Sequence, residues 1–104
     1  MVKIIAEVGS VHDGSFGNAI KLINLASECG ADAIKFQTHI AKHETTKSAP
    51  SPSYFHSETR YDYFERTGFS LEQWSAIKTE CDNTGIEFIS SPFSEAAFDL
   101  LEKI

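Results

Sequence analysis

Gly30-Ala31-Asp32-Ala33-Ile34-Lys35-Phe36-Gln37-Thr38 is the stretch that decides the fold. It opens on a glycine placed where a left-handed helix end is wanted. It then reads as a strand over residues 31–37, with Ile34 and Phe36 on one face and Ala33, Lys35 and Gln37 on the other. Upstream, residues 15–28 carry Ala19, Ile20, Leu22, Ile23 and Ala26 at helical spacing. A polar loop over residues 10–14 precedes that helix. Before the loop, residues 2–8 form a β-branched apolar run closed by Gly9, which predicts a first, buried strand.

Downstream, residues from about 38 to 67 are polar and aromatic, with Pro50 and Pro52 near the middle. A connector of that length is expected to be functional or mobile, with a short helix within residues 61–66. Ser70-Leu71-Glu72-Gln73 is a capping-box pattern. The helix it opens is expected to bury Leu71, Trp74 and Ile77 and to stop at Gly85. Residues 86–91 predict a third strand. Ser94 then caps a last helix with the apolar stripe Ala97, Leu100, Leu101 and Ile104.

Strands alternating with helices imply a parallel sheet, because each strand must return through a crossover. Three such units leave one sheet face uncovered, whereas parallel sheets normally bury both. The expectation is therefore an incomplete sequence of 104 residues, inactive and prone to association as it stands.

A formal net charge of -6 argues against an electrostatic footprint for nucleic acid or anionic membrane. No apolar run approaches the length of a membrane span, and the N-terminal apolar run is too brief for a signal peptide. Cys29 and Cys81 both fall in predicted helices without metal-type spacing, so free thiols and a cytoplasmic location are expected.

Polar residues gather near the C-terminal ends of all three predicted strands, the side on which parallel α/β folds bind ligands. Glu7 ends the first, Lys35 and Gln37 the second, Ser90 and Ser91 the third. A lysine between Ile34 and Phe36 needs an anionic partner to offset desolvation. Glu7 or a bound phosphate or carboxylate fills that need, and a buried Glu7–Lys35 pair that only fixes register is the structural alternative. Ser90 and Ser91 precede a helix start suited to an anion; the alternative, turn residues beside a capping Ser94, is the preferred reading for Ser90 and is evenly matched for Ser91. His12, in His12-Asp13-Gly14, is either a substrate-loop residue or a solvated loop histidine. His39, His43 and His56 lack ligand-like spacing. Tyr54, Phe55, Tyr61, Tyr63 and Phe64 make the long loop aromatic, either as a lid or as packing.

The runs Ile4-Ile5-Ala6-Glu7-Val8-Gly9, His12-Asp13-Gly14, residues 30–38, Phe69-Ser70-Leu71-Glu72-Gln73 and Phe88-Ile89-Ser90-Ser91-Pro92-Phe93-Ser94 resemble the N-terminal part of the sialic acid synthase family. The resemblance runs in order through the whole chain. It implies a TIM (β/α)8 barrel, of which this chain holds the first three βα units, usually followed by a small antifreeze-like domain. Members condense phosphoenolpyruvate with an N-acetylated amino sugar to a nine-carbon α-keto acid plus phosphate, assisted by a divalent metal, commonly manganese. The resemblance makes Lys35, Gln37 and Ser91 phosphoenolpyruvate-binding residues and Glu7 the catalytic acid-base group at the acceptor's carbonyl; His12 and Tyr61 are candidate substrate-loop residues on their loop positions alone. It places the metal ligands outside this segment and implies a homodimer for the full-length protein.

Two positions depart from the family's pattern. Val11 stands where many members have asparagine, and no asparagine occurs between Gln37 and Asn83. Both bear on the sugar rather than on phosphoenolpyruvate. The competing assignments are another phosphoenolpyruvate-dependent deoxy sugar-acid synthase and a non-catalytic anion-binding module.

Overall fold

The computed structural model describes residues 1–55 and 57–104; His56 lies outside the described residues. The elements run β1 (Ile5–Gly9), α1 (Phe16–Glu28), β2 (Ala33–Thr38), α2 (Ala41–Glu44), α3 (Arg60–Thr67), α4 (Leu71–Thr84), β3 (Glu87–Pro92) and α5 (Glu95–Glu102). Among the described residues the three strands form one parallel sheet in the order β1-β2-β3. Glu7 registers with Lys35, and Gln37 with Ser91.

Each boundary has a local cause. Ser15 Oγ accepts from the Asn18 N–H to start α1, and Gly30 closes it at φ 85°. The expected capping box is present on α4: Ser70 and Gln73 each accept from the other's backbone N–H. Gly85, at φ 78°, ends that helix. Ser94 Oγ accepts from Ala97 N–H at 3.1 Å to start α5.

One face of the sheet carries the core. Ile34 and Phe36 of β2 pack against Ala19, Ile23 and Ala26 of α1 and Trp74, Ile77 and Cys81 of α4. Phe36, Phe69, Trp74 and Phe88 form an aromatic cluster, with the Trp74 ring edge-on to Phe36 at 5.8 Å and to Phe69 at 5.2 Å. Burying each such side chain stabilises the fold by about 1.5–3 kcal/mol.

Three expectations need correction. β1 begins at Ile5 rather than residue 2, because the Ile4 N–H donates to Asp32 Oδ2 while its carbonyl accepts from Asp32 and Ala33. Nor is that strand buried throughout: Ile4 and Ile5 stand exposed, while Ala6 and Val8 pack partly against the core. Ser90 and Ser91 lie inside β3, within the predicted third strand, and not in a turn. Leu71 is only half-buried, so Trp74, Ile77 and Cys81 carry the α4 core.

Candidate functional site

The pleat separates two sets of side chains at the C-terminal ends of the strands. Phe36 and Phe88 face the helices, with Ser90 beside them: its hydroxyl lies 2.6 Å from that of the buried Thr38. Glu7, Lys35, Gln37, Ile89 and Ser91 occupy the alternate positions on the open face.

Glu7 and Lys35 meet across β1 and β2, with Lys35 Nζ 3.7 Å from Glu7 Oε2. Their side chains are 51% and 38% exposed, so the buried register pair considered from sequence is not what forms. At 3.7 Å the contact is electrostatic rather than a hydrogen bond, and the ammonium keeps its donors available to another acceptor. Exposed pairs of this kind contribute only about 0.2–1 kcal/mol to stability. Register between β1 and β2 shifts after Glu7, so that Gly9 comes opposite Phe36. Gly9, at φ 52°, lets the chain turn closely past Gln37: a Cβ there would meet Gln37 Nε2 at 3.3 Å and Glu7 Oε1 at 3.4 Å.

Gln37 is held from behind. Its Oε1 lies 3.0 Å from His39 Nε2, and His39 Nδ1 lies 2.7 Å from Glu44 Oε1. The His39 ring is sandwiched between Phe64 at 4.0 Å and Phe93 at 4.2 Å, both nearly parallel to it. His39, Glu44, Tyr54, Phe55, Arg60 and Phe93 are among the residues that line a cleft of ≈ 250 Å³ between the long loop and the end of β3.

Sequence reasoning missed His39 and Glu44 as parts of this region. The available signal was the period-two continuation from Lys35 through Gln37 to His39. The aromatic loop residues mainly pack on one another, with Tyr63 against Phe55 and Phe64.

His12 is elsewhere. Its ring is buried on the helix side of the sheet, 4.5 Å from Phe69 and 6.2 Å from Phe36, rather than solvated. Nδ1 accepts from the Gly14 N–H at 3.0 Å, and burial pushes the imidazole below its ordinary pKa of 6.5. Nε2 is buried without a partner. His12 therefore does not join the Glu7–Lys35 group. Nor does any described contact join Tyr61 to the strand ends; Lys47 Nζ sits 5.7 Å from its ring centre. Arg66 instead ties α3 to the first loop, donating to Glu58 at 2.6 Å and to Asp13 at 3.0 Å.

A family model described as the NeuB family matches residues 22–104. The chain belongs to the NeuB family. It is 35% identical to the N,N'-diacetyllegionaminic acid synthase of Legionella pneumophila, over 94% of this chain and 29% of that protein. It is 31% identical to human N-acetylneuraminate-9-phosphate synthase, over 97% of this chain and 29% of that protein. The crystal structure of an N-acetylneuraminic acid synthetase from Leptospira borgpetersenii serovar Hardjo-bovis, in complex with citrate, superposes with a TM-score of 0.78 at 24% identity, covering 98% of this chain and 33% of that one. Spore coat polysaccharide biosynthesis protein spsE of Bacillus subtilis gives 0.69 at 30% identity, covering 98% and 26%. The chain thus spans about a third or less of the length of each of these proteins, and what it shares with the Leptospira structure is the fold. No helix among the described residues is long and apolar enough to cross a membrane.

Proposed function

We propose that the open face of the sheet supplies half of a pocket in which a (β/α)8-barrel synthase condenses phosphoenolpyruvate with an N-acylated amino sugar. The carrying observation is the loose Glu7–Lys35 pair beside the Gln37–Ser91 register pair on one uncovered face. Family membership and the named nonulosonate synthases among its relatives support the reading.

Lys35 supplies a compact positive charge for phosphate or carboxylate, and Gln37 and Ser91 supply neutral hydrogen-bond donors beside it. Glu7 is then the carboxyl group that holds or moves a proton at the sugar's carbonyl oxygen. The methylene carbon of phosphoenolpyruvate bonds to the aldehyde carbon, water adds to the neighbouring carbon, and phosphate leaves. The product is a nine-carbon α-keto acid. The open face lets both substrates reach these groups from one side.

Among the described residues no group of three or more His, Cys, Asp or Glu side chains converges as a metal site. The side chains present do not fit a metal, and no step above runs through one. We assign the divalent metal of the reaction, taken as manganese, to ligands outside these residues. The proposal includes a cytoplasmic, homodimeric full-length protein.

The test is phosphoenolpyruvate consumption by the full-length protein carrying Lys35→Ala. Losing one charge-assisted contact should lower kcat/KM by about 10- to 100-fold. Consumption at the unaltered rate refutes the role of Lys35.

A further inference from the structure

We propose that His39 is a positioning residue, which turns the Gln37 amide so that its NH2 group, rather than its oxygen, faces the anion pocket. The inference rests on the phosphoenolpyruvate pocket above and deepens it. Four contacts hold the imidazole in place. Phe64 and Phe93 clamp its two faces, at interplanar angles of 12° and 21°. Glu44 Oε1 anchors Nδ1, and Gln37 Oε1 takes Nε2. Phe93 is itself pinned, its N–H donating to the Thr38 carbonyl at 3.2 Å. The His39 side chain is 5% exposed and that of Glu44 is 9%, so water has little access to the bond between them.

In this arrangement Gln37 turns Oε1, not Nε2, toward the ring. An amide oxygen only accepts, so the ring must present Nε2–H to Gln37. The pair formed by Nδ1 and Glu44 then shares one further hydrogen, and on either partner it leaves Nε2–H in place. With Gln37 Oε1 so occupied, its Nε2 lies on the Gly9 and Glu7 side, within 3.3 Å of where a Gly9 Cβ would stand. An amide turned the other way would set its oxygen against a phosphate or carboxylate, acceptor against acceptor. A free glutamine side chain samples both orientations, whereas this one is committed before the ligand arrives.

His39→Phe tests this, because a phenyl ring preserves the stack between Phe64 and Phe93 while deleting both hydrogen bonds. In the full-length protein we expect the KM for phosphoenolpyruvate to rise about tenfold, the order of one hydrogen bond to a charged group. We expect kcat and the sugar KM to stay within about twofold, the signature of lost ground-state binding. Gln37→Ala should raise the same KM, and His39→Phe added to Gln37→Ala should raise it no further, since the ring acts through the amide. Glu44→Leu, which keeps roughly the bulk of the side chain but removes the partner of Nδ1, should raise it severalfold and should likewise be silent in the Gln37→Ala background. It serves if His39→Phe does not fold. An unchanged KM in either His39→Phe or Glu44→Leu, or effects that add to Gln37→Ala, overturn the proposal. Wild type and Lys35→Ala run alongside separate this outcome from failure of the pocket itself: if wild type consumes no phosphoenolpyruvate, the pocket reading fails first.

Discussion

Replacing Gly14 by alanine tests how rigidly the first loop is held against the helix that ends the long connector. Gly14 has φ +83°, and a Cβ built on it would lie 2.5 Å from the Arg66 carbonyl oxygen and 3.3 Å from Thr67 Cα. Gly30 provides an internal control, with φ +85° and nothing within 4 Å of its Cβ position. Both substitutions force alanine into left-handed backbone, which costs about 1–2 kcal/mol. Only Gly14→Ala adds a collision, and with backbone rather than a flexible side chain. The Arg66 carbonyl can retreat only by disturbing α3, whose Arg66 side chain is tied to Glu58 and Asp13. Overpacking of that kind costs a further 1–3 kcal/mol or so. Gly14→Ala should therefore destabilise by about 2–5 kcal/mol and Gly30→Ala by about 1–2 kcal/mol. Urea unfolding followed by circular dichroism measures both from the midpoint shift. Equal losses for the two variants would refute the close approach of loop and helix.

His12 makes stability depend on pH. Burial holds its imidazole below the ordinary 6.5, so between that value and its lowered folded value the unfolded chain binds a proton that the folded chain does not. This contribution is present above pH 6.5 and is lost as the pH falls. His12→Phe should flatten that part of a stability profile measured by urea titration, and an unchanged acid limb would contradict the assignment. In the core, Trp74→Ala should cost about 3–5 kcal/mol because it opens the Phe36–Phe69–Phe88 cluster. A loss under about 1 kcal/mol would show that the cluster does not carry the core. The two thiols should also differ sharply. Cys29 is exposed, whereas Cys81 is buried and its thiol is pushed up to about 11 by desolvation. A thiol reagent at neutral pH should label Cys29 in the native protein and Cys81 only on unfolding. Equal labelling rates would contradict the burial of α4.

Much of the fold was legible because its signals are local. The Ser70–Gln73 box, the glycines at 30 and 85, and the alternation from Ile34 to Gln37 each act within a few residues. The Glu7, Lys35, Gln37 and Ser91 group was legible for the same reason, since strand periodicity and parallel register place them together. Where the reading failed, the deciding partner was distant in sequence. His12 is buried because Phe69 covers it, and nothing within the run His12-Asp13-Gly14 foretells that. His39 gains its setting from Phe64 and Phe93, brought over it by the long connector and by the end of β3. The start of β1 was missed because the Asp32 carboxylate competes for the Ile4 N–H.

The central claim is that the open face of this sheet belongs to an enzyme joining phosphoenolpyruvate to an amino sugar. Phosphorus NMR of the full-length protein with phosphoenolpyruvate, manganese and an N-acylated hexosamine tests it most directly. The account predicts that the phosphoenolpyruvate resonance is replaced by inorganic phosphate only when the sugar is present, and that Lys35→Ala slows the replacement. Phosphate release that ignores the sugar, or no release under any of these conditions, would contradict it.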